Sequence, residues 1–261
     1  MVGLPQRLLP RTTFVPAGES RLFVRDLGSG HPVIVLHGGP DFDHSYLVPE
    51  LDGLAEQNRL VFYDQRGRGR SWSGEGPDSV TIDSEVEDLD RVRAWTGSTT
   101  VALLGHSWGG LLAMEYAIRH PERVSHLILE DASGMAWDVS HVPLFPKDRD
   151  EALRLLRMVH GPNMPIADWI VDAVLNAKDL PQKRVLEAGL FEWLVDTRLP
   201  KLTMPVTLIW GANDGLLPLA YAHALQSRIA HATLHVIADA AHIPHRQAPD
   251  EFLRIFREAV P

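Results

Sequence analysis

Short runs of apolar and β-branched residues punctuate the chain at 32–36, 60–63, 99–104, 124–129, 205–211 and 233–237. Runs of this length, apolar on successive positions and closed by turn residues, read as strands buried in a sheet. The stretch 110–117, rich in strong helix formers, follows the third run, and a closing helix is expected from Pro249. Strands ending near His37, Asp64, His106 and Asp131 alternate with helices, the pattern of a mainly parallel sheet covered on both faces. Residues 11–28 read instead as a hairpin, with Ala17-Gly18-Glu19-Ser20 at its turn. The alternation stops after Ser133. From there to about Leu199 no strand-like run occurs, and three helical patterns take its place, at 148–160, 166–177 and 182–196, separated by proline and glycine.

At 261 residues, 45% hydrophobic and 23% charged, the chain can bury one large α/β core plus an insertion. It has no cysteine, which excludes disulfides and thiol catalysis and fits a reducing compartment, so a cytoplasmic location is expected. The first seven residues lack the apolar centre of a secretion signal, and no apolar run approaches the length of a membrane span. A net charge of −9 without a basic stretch disfavours nucleic acid as a partner. Composition says nothing of oligomeric state.

Chemistry enters at Gly105-His106-Ser107-Trp108-Gly109, a G-x-S-x-G pentapeptide between a strand-like run and a helix-forming one. That context places a serine on a strained turn with its hydroxyl above the sheet, and any side chain at either glycine would meet a neighbouring strand or the helix start. A hydroxyl is a weak nucleophile at neutral pH and needs a base with an orienting acid. Asp214 follows the run 205–211 and His242 follows the run 233–237, each just past the carboxyl end of a strand, where parallel sheets gather their functional residues. Ser107, Asp214 and His242 are therefore the candidate catalytic residues. Asp131, beyond the run 124–129, is a second candidate for the acid, with its neighbour Glu130 directed to the opposite side. His245, three residues past His242, is a second candidate for the base. His106 is expected to pack under the serine turn.

These residues resemble the α/β-hydrolase superfamily, from roughly Arg21 to the C-terminus with one interruption. His37-Gly38-Gly39-Pro40 is similar to the loop that donates an oxyanion-hole N–H in these enzymes. Asp64-Gln65-Arg66-Gly67-Arg68-Gly69-Arg70-Ser71 is similar to the segment after their fourth strand. Together with Trp108 these motifs look closest to the proline iminopeptidase branch. The chain departs from that pattern where Asp41 follows Pro40 in place of glycine and where His106 replaces glycine. The resemblance implies an α/β-hydrolase fold: a mainly parallel eight-stranded sheet with helices on both faces, a core of residues 1–132 and 200–261, and a small helical lid at 133–199. It implies an oxyanion hole from the backbone N–H groups of Gly39 and Trp108, and it favours Asp214 as the acid because its Gly-x-x-Asp-Gly turn resembles the usual site.

Specificity is expected to lie in the lid, with Trp169, Phe191 and Trp193 as candidate pocket residues. Proline iminopeptidases hold a free amino terminus with lid glutamates. Glu151, Glu187 and Glu192 are available here, though none matches a position of the family's longer lid. Asp64 and Arg66 are read as structural. Asp41, Asp43 and His44 lack the ligand spacing of a metal site, so neither metal nor cofactor is expected. The leading expectation is a serine hydrolase acting on a small carboxylic ester or lactone, without nucleic-acid or membrane partner. Cleavage of an amide or amino-terminal residue is the runner-up. Carbon–carbon bond hydrolysis follows, and a ligand receptor with slow turnover is the reading from a different class.

Overall fold

The structure, a computed structural model, describes residues 9–39, 42–71, 80–138, 140–144, 146–176 and 193–260. Eight strands form one sheet: β1 (Arg11–Ala17), β2 (Ser20–Gly28), β3 (Pro32–Leu36), β4 (Arg59–Tyr63), β5 (Val101–His106), β6 (Val124–Glu130), β7 (Val206–Gly211) and β8 (Ala232–Ile237). Their spatial order is β1-β2-β4-β3-β5-β6-β7-β8. The β1–β2 hairpin turns at Gly18 (φ 70°), and β2 meets β4 antiparallel; from β4 to β8 every pairing is parallel. Central strands such as β3, β5 and β7 are buried along their whole length, as their unbroken apolar runs require. The edge strand β8 is only partly covered.

One face of the sheet packs on α1 (Ile82–Thr96), α2 (Trp108–Arg119) and the helix Leu219–Arg228. The other face packs on the 3₁₀ segment Glu50–Glu56 and the closing helix Pro249–Ala259. Local chemistry sets the helix ends. Thr81 and Ser84 form a reciprocal capping box at the start of α1, and Gly97 closes it in the left-handed region at φ 80°. Pro249 opens the last helix, which buries Phe252, Ile255 and Phe256 on one stripe.

Between β6 and β7 the chain leaves the sheet, as the loss of strand pattern predicts. Asp148 caps α3 (Arg149–His160) by accepting from the Glu151 N–H, and α4 (Asp168–Asn176) follows. These helices share a small apolar cluster of their own around Ala152, Leu156 and Val171. The third expected helix, 182–196, falls largely outside the described residues. Its described end continues into a 3₁₀ turn, Asp196–Lys201. Among the described residues no helix is long and apolar enough to cross a membrane.

Candidate active site

β5 delivers Ser107 to the top of the sheet, where the chain must reverse into α2 within one residue. Ser107 adopts φ 53°, ψ −118°, a conformation that side chains rarely take. The flanking glycines make the turn possible. A Cβ on Gly109 would lie 2.3 Å from the Leu36 carbonyl oxygen in β3, and one on Gly105 would lie 2.5 Å from the Gly109 carbonyl oxygen at the helix start. The strain is held by backbone bonds: the Ser107 N–H donates to the Glu130 carbonyl at 2.9 Å, and the Ser107 carbonyl accepts from Gly110 at 2.9 Å and Ser133 at 3.0 Å.

The loops after β7 and β8 bring Asp214 and His242 to this serine. His242 Nε2 lies 3.0 Å from Ser107 Oγ, and His242 Nδ1 lies 2.8 Å from Asp214 Oδ2. Asp214 Oδ1 accepts from the backbone N–H groups of Leu216 (2.8 Å) and Leu217 (3.0 Å), which fixes the carboxylate. Burial pushes the Asp214 carboxyl up, but the facing imidazole and these donors outweigh it and hold Asp214 below the ordinary range. A base hydrogen-bonded to a hydroxyl on one side and an anchored carboxylate on the other can take up and return a proton.

The end of α3 supports both loops. Its last carbonyls, which have no acceptor role inside the helix, receive donors from the site: Gly215 N–H to Met158 at 3.2 Å, His242 N–H to Val159 at 3.0 Å, and Gln247 Nε2 to His160 at 3.0 Å.

The loop after β3 is held from below. The Gln65 side chain donates to the His37 carbonyl at 2.8 Å, and the Gln65 N–H donates to His37 Nε2 at 3.0 Å. Burial, with help from the Arg68 charge, lowers the His37 pKa to about 4, so its ring is neutral. Asp64 and Arg66 are structural, as read from the sequence. Asp64 accepts from Arg70 N–H, His44 N–H and His44 Nδ1, and Arg66 pairs with buried Asp88 at 2.8 Å. Asp43, His44 and Asp64 converge within 4.8 Å, but Asp43 is engaged capping the turn at Ser45 and the other two bind each other.

A second set of polar groups lies beneath the serine; sequence reasoning placed His106 there but did not find Tyr46. Tyr46 Oη accepts from Gly38 N–H (2.6 Å) and therefore directs its own hydrogen to His106 Nδ1 (2.6 Å). His106 Nε2–H then donates to the His242 carbonyl at 2.7 Å. Burial lowers the His106 pKa to about 3, consistent with this neutral tautomer and with packing under the turn. Behind it, His245 Nδ1 lies 2.7 Å from Glu130 Oε1, so His245 faces away from Ser107. The sequence offers no signal for Tyr46, which sits 60 positions from its partner in a short 3₁₀ turn.

A cavity of about 120 Å³ opens beside Ser107 and His242. Gly39 (φ 129°) and Trp108 border it at the serine, and its walls are largely apolar, including Leu111, Trp137, Val142 and Leu217. Trp169 is not part of this lining: α4 turns Val171 inward and leaves Trp169 71% exposed. The Trp193 ring packs against Trp108, centroids 5.2 Å apart, outside the lining. Phe191, Glu187, Glu192, Pro40 and Asp41 lie outside the described residues.

With this geometry in place, comparison with known proteins identifies the class. The alpha/beta hydrolase fold family matches residues 31–164, and the chain belongs to that family and is a hydrolase. The chain is 26% identical over 272 residues to a proline iminopeptidase of Saccharolobus solfataricus, covering 89% of this chain and 86% of that relative. Among solved structures it is similar to a bacterial membrane phospholipase A (TM-score 0.84, 21% identity, 97% of this chain and 86% of that one). It is also similar to an esterase from Exiguobacterium antarcticum (TM-score 0.78, 22% identity, 95% and 98%). At these identities the structural likenesses carry the fold alone.

Proposed function

We propose that the protein is a serine hydrolase of small carboxylic esters or lactones. The observation that carries this reading is the hydrogen-bonded series Ser107–His242–Asp214 at the edge of an apolar cavity. His242 removes the Ser107 proton as the hydroxyl attacks the acyl carbonyl, and Asp214 orients the ring and stabilises the imidazolium. Water then cleaves the acyl-enzyme through the same base. The N–H groups of Trp108, at the positive end of α2, and of Gly39 stabilise the tetrahedral oxyanion. Residues 133–199 act as a lid, since residues from Ser133 to Leu144 and Leu194 supply much of the cavity wall.

Size and polarity favour an uncharged acyl group. A cavity of about 120 Å³ is somewhat smaller than the ~150 Å³ that accommodates benzene in an engineered apolar site. Among the described residues, no carboxylate lines the cavity. A substrate's free ammonium group would lose its hydration there without an anionic partner. The proline iminopeptidase relative favours a second reading, removal of an amino-terminal residue. Glu151 does not serve that reading: it stands in the first turn of α3, roughly 12 Å along the axis from Val159.

Nitrophenyl esters of increasing chain length, run beside prolyl and alanyl nitroanilides, test the assignment. Short esters are expected to turn over and nitroanilides not. Turnover confined to the nitroanilides would replace the first reading with the second. Ser107→Ala is expected to lower turnover by roughly 10⁴–10⁶-fold with folding intact, and a fluorophosphonate to label the wild type alone. Labelling that persists in the variant would remove Ser107 from the role.

A further inference from the structure

Asp131 occupies a place that neither a surface carboxylate nor a simple alternative acid explains. It follows β6, is fully buried, and takes a left-handed conformation at φ 40° that turns its side chain toward the loop after β7. There its Oδ1 accepts from the Gly211 N–H at 3.2 Å, whereas its Oδ2 is buried without a hydrogen-bond partner. An oxygen of Asp131, an oxygen of Asp214 and a ring nitrogen of His242 lie within 4.8 Å of one another. Glu130, the other ionisable neighbour, is directed away and is bound by His245.

Two buried carboxylates at this separation repel, and one of them retains a proton. The hydrogen-bond pattern selects which. Asp214 accepts from Leu216 and Leu217 on Oδ1 and faces the His242 ring on Oδ2, three of the roughly four acceptor positions a carboxylate offers. Asp131 accepts once and has an idle oxygen. We propose that Asp131 is a carboxylic acid whose Oδ2–H donates to the Asp214 carboxylate, making it a positioning residue for the Asp214–His242 pair. The inference rests on the serine-hydrolase reading for its catalytic meaning. Burial, followed by the Asp214 charge and the hydrogen bond to it, pushes the Asp131 carboxyl well above the ordinary range, in agreement. The pair then carries one negative charge, matching the one positive charge that forms on the imidazole.

Asp131→Asn provides the direct test, because an amide reproduces the protonated acid: its N–H donates to Asp214, its oxygen accepts from Gly211, and asparagine tolerates the left-handed backbone. In the infrared, wild type at about pH 8 is expected to show the carbonyl stretch of a protonated carboxylic acid that Asp131→Asn lacks, at a pH where ordinary carboxyls are ionised. In ester hydrolysis, Asp131→Asn is expected to lose about tenfold or less in kcat/KM, against about 10⁴ for Asp214→Asn. The pKa on the acid limb of its pH profile should hold, and that of Asp131→Leu should rise as Asp214 loses a donor. An ionised Asp131 gives the opposite sign: removing its charge lowers that pKa by about one to two units in both variants. Absence of the infrared band, or that downward shift in Asp131→Asn, would overturn the proposal. The infrared measurement needs no substrate, so failure of the esterase reading leaves it decisive.

Discussion

Replacing His106 with glutamine separates one buried imidazole from everything else that titrates around it. Glutamine keeps both polar functions, an oxygen to accept from Tyr46 and an N–H to donate to the His242 carbonyl. What it removes is a titration. In the unfolded chain a histidine takes up a proton near pH 6.5, whereas folded His106, lowered by burial to about 3, does not. A depressed folded pKa contributes stability that is complete above the unfolded pKa and is lost as pH falls toward the folded one. Between about pH 7.5 and 5 this amounts to about 2 kcal/mol lost by wild type and not by the variant. The wild-type curve alone would not reveal it, because buried His37 acts in the same direction and Asp131, raised by burial, in the opposite one. The difference between the two proteins cancels those contributions. Urea melts of both proteins across that range measure it. A wild-type advantage that stays constant from pH 7.5 to 5, within about 0.5 kcal/mol, would show that His106 titrates normally and refute its neutral, buried state.

Two further outcomes follow from the site geometry. Gly109→Ala drives a Cβ against backbone at 2.3 Å, so α2 must move off β3; denaturant melts should show a loss of about 1–3 kcal/mol, and turnover should fall about 10²-fold as the Trp108 N–H shifts. Trp169→Ala should leave the melting curve within about 0.5 kcal/mol of wild type, since the ring is exposed, whereas a core tryptophan would cost about 3–5 kcal/mol.

The strands were legible because a sheet buried on both faces needs unbroken apolar runs, and 32–36, 99–104 and 205–211 have them. The residues of the site could be named for a related reason: Ser107, Asp214 and His242 each follow such a run, and parallel strands end at a common edge. What escaped depends on contacts that one-dimensional spacing does not encode. Tyr46, in the turn after β3, reaches His106 at the end of β5, 60 positions away, and His245 turns to Glu130 although it follows His242 by only three residues. Trp169 belongs to an α4 with more apolar positions than one small cluster covers, so its pattern did not say which would face inward. Asp131 and Asp214 read as competitors in the sequence. The structure sets them side by side, because a single left-handed residue at the end of β6 turns the first toward the second.

The three carbonyls at the end of α3 bear on how this scaffold can diversify. An insertion joined to a core only by its two chain ends can be exchanged as a cassette, with new specificity and unchanged chemistry. Here the segment between β6 and β7 also fastens Gly215, His242 and Gln247 through the carbonyls of Met158, Val159 and His160. A chimaera that brings in a foreign segment between β6 and β7 must supply carbonyls at those positions or leave the His242 N–H without its acceptor. Recombination among relatives is thereby restricted to segments that keep the end of this helix.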